Sequence, residues 1–220
     1  MDPNFSVPWL RVGAFIRQHA HDIRNRLNGM DLEVALIQET AKDPEAIESA
    51  RRLHHQIRNA VIELAKLSEQ IADRVPTLTQ LPLSALLPTW QEQAELLDPK
   101  ADVVWRKGEV DADVEIDLHM MQVVLRELLV NARDFSMSAK VIATFYADPE
   151  FGYLELREPK FDPLDTSLWG LEPLHTTRRD GYGLGLWSVR KSVEAMRGMI
   201  THVYLADSGE LVTTLRFVRR

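Results

Sequence analysis

The 220-residue chain contains no cysteine. That excludes a disulfide scaffold, a thiolate zinc site and a cysteine nucleophile. No run of apolar residues is long enough to span a bilayer, and the polar first residues, with Pro3 and Pro8 among them, do not form a signal peptide. Basic charge is not in excess: 26 Lys and Arg stand against 33 Asp and Glu, a formal net charge of −7. Binding nucleic acid by phosphate neutralisation needs the opposite balance, so no nucleic-acid partner is expected. Repeats and low-complexity segments are also missing. The expected location is the cytoplasm. What is present is a 45% apolar fraction, enough to bury a core. The length suits one large domain or two small ones.

From about Leu10 to Ala41 the apolar residues form one stripe: Ile16, Ala20, Ile23, Leu27, Met30, Val34, Ile37 and Ala41. Its steps alternate four and three, the heptad pattern of a helix buried along a seam. Lys42-Asp43-Pro44 breaks it. Asp43 suits a helix cap and Pro44 the first helical position. A second stripe follows through Ala46, Ala50, Leu53, Ile57, Ala60, Leu64, Leu67 and Ile71. Two long helices with so short a connection predict an antiparallel hairpin. A lone hairpin leaves apolar surface wet, which predicts a homodimeric four-helix bundle.

Pro76, Pro82 and Pro88 punctuate a connecting stretch, and a boundary is expected between residues 74 and 82, giving domains 1–75 and 76–220. Strands are predicted from Ala101 to Arg106, Asp113 to Ile116, Ala139 to Ala147, Gly152 to Arg157, Met199 to Leu205 and Leu211 to Val218. Helices are predicted from Asp117 to Phe135, with Asp117 as the cap, and from Leu184 to Arg197. This order describes an α+β layer, a sheet covered by helices on one face.

His21 follows the seam residue Ala20, so it is expected at the edge of the stripe, facing solvent. A neutral imidazole nitrogen attacks phosphorus, and a carboxylate on the other nitrogen fixes the tautomer and raises nucleophilicity. Asp22 is the candidate carboxylate. Asn25, one turn further on the same face, is suited to orient a water for in-line attack on an acyl phosphate. Taken alone, His21 reads more readily as a histidine on a solvated helix face, with Asp22 and Arg24 as ordinary surface charges. His19 is a competitor two residues earlier, and His54 and His55 read as rim residues of the bundle.

In the second half, Glu127 and Asn131 share a helix face, one turn apart. An asparagine beside an acid suits magnesium held against a triphosphate; the plainer reading is two polar residues at a solvent edge. Further on, the glycines of Gly181-Tyr182-Gly183-Leu184-Gly185 let a backbone approach phosphates, and the following helix presents its first amides to an anion.

The run His21-Asp22-Ile23-Arg24-Asn25-Arg26-Leu27-Asn28 resembles the phosphoacceptor box of two-component histidine kinases. Glu127-Leu128-Leu129-Val130-Asn131-Ala132 resembles the asparagine box of their ATP-binding domain. Leu171-Glu172-Pro173-Leu174-His175-Thr176-Thr177 resembles the segment before their lid, and Gly181 to Leu186 their second glycine box. The resemblance implies a dimeric four-helix bundle followed by an α+β two-layer sandwich of the histidine-kinase ATP-binding type. It implies a histidine autokinase phosphorylated on His21 that relays phosphate to the receiver aspartate of a response regulator. Asp22 is then the acid/base neighbour, and Asn25 the position used in regulator dephosphorylation. ATP is assigned to Glu127, Asn131, Glu158, Thr176, Thr177, Gly181, Gly183, Leu184 and Gly185, and Mg2+ to Asn131. Input is expected from a separate sensor protein.

Two departures stand out. Arg26 replaces the family's proline, which predicts a straighter helix without a sharp bend at residues 22–26. The first glycine box is missing: Glu158-Pro159-Lys160 stands where an aspartate and a glycine normally receive the adenine, and the lid is short. Glu158-Pro159-Lys160 favours an alternative, a histidine phosphotransferase or pseudokinase scaffold that relays phosphate between receivers without useful ATP binding; the Asn131 and Gly181–Gly185 segments oppose it. A third reading is a regulatory dimer that titrates partners.

Overall fold

The computed structural model describes residues 9–72, 75–97, 103–135, 140–160, 162–176 and 182–220. The chain divides into two compact units, Met1–Asp73 and Arg74–Arg220.

The first unit is a hairpin of α1 (Trp9–Thr40) and α2 (Pro44–Gln70). Asp43 caps α2, its carboxylate accepting from the Glu45 backbone N–H at 3.3 Å, and Pro44 occupies the first turn, where its missing N–H costs nothing. α1 runs as one uninterrupted helix through Arg26. At the open end, Arg17 Nη1 donates to the Ile71 carbonyl, 2.9 Å away. That bond satisfies one of the carbonyls a helix terminus leaves without a partner. Burial splits the heptad pattern in two. Ala20, Val34, Ala50, Ile57 and Ile71 are buried, and Leu27 packs against Val34, Ala50 and Ile57. Other seam positions are less covered: Ile16, Ile23, Ala60 and Leu67 are half-buried, and Met30, Ile37 and Leu53 are 53%, 47% and 46% exposed. The hairpin covers its own seam only in part.

The second unit runs β1 (Thr79–Pro82), a 3-10 turn (Leu83–Leu86), α3 (Leu87–Leu97), β2 (Val103–Lys107), β3 (Asp113–Ile116), α4 (Leu118–Phe135), β4 (Val141–Ala147), β5 (Phe151–Pro159), α5 (Gly185–Ala195), β6 (Met199–Leu205) and β7 (Glu210–Val218). β1 and β3 pair as a small antiparallel ribbon, and the main sheet has the order β2-β4-β5-β7-β6. Its β2–β4 pair is parallel and the other pairs are antiparallel. Alternation puts Val141, Ala143, Phe145, Leu154, Leu156, Ile200, Leu215 and Phe217 into one core with Trp90 of α3, Met121, Leu125 and Leu128 of α4, and Val189 and Val193 of α5. Each large side chain buried there contributes roughly 1.5–3 kcal/mol. Asp117 caps α4, one oxygen accepting from the Met120 N–H at 2.9 Å and the other from the Thr77 N–H at 2.7 Å.

Two expectations needed correction. The proline-punctuated stretch is structured. Pro82 precedes the 3-10 turn and Pro88 lies in the first turn of α3, positions where no amide donor is required. β5 is also longer than its predicted end at Arg157. Pairing with β4 stops at Arg157, whereas β7 continues to pair with Glu158 and Pro159. Pro159 therefore lies beyond the β4–β5 ladder.

Candidate functional site

His21 and Asp22 stand on the open surface of α1, their side chains 63% and 52% exposed. Asp22 Oδ1 lies 3.4 Å from His21 Nδ1, and Asn25 Nδ2 lies 3.4 Å from the same nitrogen. Gln18 Nε2 donates to Asp22 Oδ1 at 3.0 Å. The neighbours gather on Nδ1, which leaves Nε2 as the nitrogen suited to meet phosphorus. The other histidines have different company. The His19 ring stacks on Phe15 with centroids 5.8 Å apart. His54 Nδ1 lies 2.8 Å from Asp31 Oδ1, joining the two helices, and His55 Nδ1 lies 3.2 Å from Asn59 Nδ2.

In the second unit, α4 carries Glu127, buried, and Asn131, half-buried, on one face. Thr176 is exposed; Thr177 and Gly181 lie outside the described residues. Gly183, Leu184 and Gly185 form the entry to α5, with Leu184 buried at the cap position and no side chain capping the helix. Gly183 has φ +64°, and a Cβ there would stand 2.6 Å from the Leu174 carbonyl carbon and 2.7 Å from His175 N. Leu174 itself has φ +66°, a costly conformation for a branched residue, and its N–H donates to the Gly183 carbonyl at 3.0 Å. The close backbone approach that this glycine allows is thus made by the chain's own Leu174–His175 segment.

Glu158 sits near the end of β5 on the core side, 5% exposed. Lys160 Nζ donates to Glu158 Oε2 at 2.7 Å, with the two side chains 7% and 6% exposed. Burial pushes the Glu158 carboxyl up from its ordinary pKa, and the Lys160 ammonium pulls it back down. The Lys160 backbone N–H is also tied, to the Gly209 carbonyl of the β6–β7 turn at 2.8 Å. An adenine amino group needs an acid open to accept its hydrogen bond. Here that acid is enclosed, its side chain 6% exposed and covered together with the ammonium that pairs with it, so these residues do not fit ATP in the way the resemblance places it. The sequence singles out Lys160 as a bulky intruder but not as an ion-pair partner. The available signal was spacing: residues 158 and 160 face the same way once the strand extends that far. Among the described residues, no group of three His, Asp or Glu side chains is placed to hold a metal ion.

Sequence reading also missed His202 on β6. Its Nδ1 lies 3.0 Å from Thr213 Oγ1 and its ring meets Trp169 edge-on, with centroids 5.7 Å apart. Nothing in the local pattern marks it, because its enclosure comes from β7 and from the segment leading to α5.

No family model and no curated protein matches the sequence. Solved structures do match the fold. Full-length ShkA in complex with AMPPNP superposes with a TM-score of 0.73 at 18% identity over 94% of this chain. This chain covers 46% of ShkA's length. The catalytic domain of the histidine kinase ThkA gives a TM-score of 0.56 at 22% identity, covering 64% of this chain and 95% of that one. The Acinetobacter baumannii histidine kinase AdeS gives 0.54 at 18% identity, covering 91% and 98%. The chain therefore has the fold of the sensor histidine kinases, a long helical hairpin followed by an α/β unit of their ATP-binding type.

Proposed function

We propose that this chain is a two-component phosphotransfer protein in which His21 takes a phosphoryl group from one receiver domain and passes it to another. His21 Nε2 forms the N–P bond as the P–O bond to the donor aspartate breaks. The aspartate leaves as a carboxylate, and the proton on Nδ1 stays shared with Asp22. The reverse chemistry loads the second receiver. The second unit keeps the ATP-binding fold without using ATP. The exposed seam residues Met30, Ile37 and Leu53 support a homodimer as the working form.

The observation that carries this reading is the buried Glu158–Lys160 pair. A Glu158 side chain only 6% exposed offers no open face to a nucleotide base, so seating a base on it must open the enclosure and move Lys160 away from its partner. Breaking a buried pair costs about 3–5 kcal/mol. Micromolar to millimolar binding is worth only about 8 to 4 kcal/mol in all. The rival reading, the autokinase that the sequence motifs imply, is favoured by Glu127 and Asn131 on one face of α4 and by the nucleotide analogue bound to ShkA.

The deciding experiment pairs a calorimetric titration of ATP with Mg2+ against transfer from receiver domains loaded with acetyl phosphate. We expect no saturable ATP binding at millimolar concentration, and acid-labile phosphate that is lost in His21→Ala but kept in His19→Ala. Asp22→Asn should slow incorporation by roughly a hundredfold, the scale of a lost acid/base group. Micromolar ATP binding with receiver-free labelling of His21 would establish the autokinase instead.

A further inference from the structure

His21 Nδ1 is where two hydrogen bonds compete. The Asp22 carboxylate at 3.4 Å requires a proton there, whereas the Asn25 amide nitrogen at 3.4 Å requires a lone pair. The two demands select opposite tautomers. With the proton on Nδ1, Nε2 carries the lone pair that attacks phosphorus. With the proton on Nε2, that nitrogen cannot attack.

The chain contains its own comparison. His55-Gln56-Ile57-Arg58-Asn59 on α2 matches His21-Asp22-Ile23-Arg24-Asn25 at four of five positions, and the change is glutamine for aspartate. Asn59 Nδ2 lies 3.2 Å from His55 Nδ1. With no carboxylate at the neighbouring position, that amide selects the Nε2–H form. The acid therefore separates an acceptor ring from an idle one. Its own placement then matters, because Asp22 is half-exposed and water competes for its oxygens. Gln18, one turn upstream, donates to Asp22 Oδ1 at 3.0 Å, the same oxygen that faces His21. A carboxylate oxygen has two lone pairs and accepts from both groups at once.

We propose that Gln18 is a positioning residue for phosphoryl acceptance: it holds the Asp22 carboxylate against Nδ1 and so sets the tautomer of His21. Its value for function rests on His21 being the acceptor; its effect on the ring does not.

The test is 15N spectroscopy of the imidazoles in the full chain, which reads tautomers without any phosphate donor. Wild type should show His21 mainly as Nδ1–H and His55 mainly as Nε2–H. Gln18→Ala should lower the His21 Nδ1–H to Nε2–H ratio by about two- to fivefold, the scale of one exposed polar pair. The His55 signals and helix content should not change. Gln18→Lys, which keeps a donor at that reach, should restore the ratio. Phosphate uptake from potassium phosphoramidate should fall in step in Gln18→Ala. An unchanged His21 tautomer in Gln18→Ala overturns the inference even if His21 is phosphorylated. A His21 tautomer that follows Gln18 in a protein taking no phosphate upholds the positioning and removes the phosphotransfer reading.

Discussion

Burial lowers the pKa of His202 to about 4, from an ordinary 6.5, and the nearby Arg190 guanidinium adds to the shift. The folded protein therefore holds this ring neutral at a pH where the unfolded chain protonates it. The stability this provides is fully present above about pH 6.5 and is lost as the pH falls from 6.5 towards 4. The size is about 2–3 kcal/mol if the ring stays enclosed. Denaturant unfolding at pH 7 and pH 4.5 should show that loss in the wild type and a smaller one in His202→Gln, which has no proton to gain. Equal losses in the two proteins would assign the acid sensitivity to other groups. The same physics governs Glu158, where enclosure makes a charge costly and only the adjacent ammonium makes it tolerable.

Two close backbone approaches stand near the start of α5 among the described residues. Gly183 lets the Leu174–His175 backbone in, and Gly170, at φ +67°, has the Leu186 carbonyl oxygen 2.8 Å from where a Cβ would stand. Backbone atoms cannot swing aside as a flexible side chain can. Gly183→Ala should therefore destabilise the protein by at least about 2 kcal/mol, from the left-handed conformation and the clash together. Gly29, within α1, has open space where a Cβ would stand, with no atom within 4 Å. Gly29→Ala should act in the opposite direction, gaining roughly 0.5–1 kcal/mol in helix propensity. Thermal unfolding of both variants checks the pair of signs. At this scale caps and alternation were legible in advance: Asp43, Asp117, the break at Pro44 and the strand from Asp113 to Ile116 stand where local chemistry puts them. α3 was not legible, because Pro82 and Pro88 mark helix entry as readily as they mark a loop.

Across the whole molecule the uncovered part of the heptad seam is the feature with the largest consequence. Met30, Ile37 and Leu53 leave apolar surface that a second hairpin would cover, and wet apolar surface costs about 25 cal/mol per Å². Light scattering at micromolar concentration should give twice the 25.2 kDa chain mass. The double variant Met30→Lys, Ile37→Lys should give the single mass while keeping its helix content. A monomeric wild type would sink the four-helix bundle. Among the described residues, no helix is long and apolar enough to cross a membrane.

The amino-acid sequence by itself determined the heptad stripes, the helix caps, the strand alternation and the short motifs that carry the family resemblance. All of these depend on residues within a turn or two of one another. The tertiary structure alone decided three things. It decided which seam positions of the hairpin are covered, because helix rotation is set by the partner helix. It decided that Glu158 and Lys160 are enclosed together, because β7 extends β5 past its local end and the core closes over it. It decided that the Gly183 turn closes on Leu174 and His175, because a close approach needs two backbones and the sequence names only the glycine. Burial and long-range pairing give Glu158, Lys160 and Gly183 their surroundings, and neither can be read from neighbours along the chain.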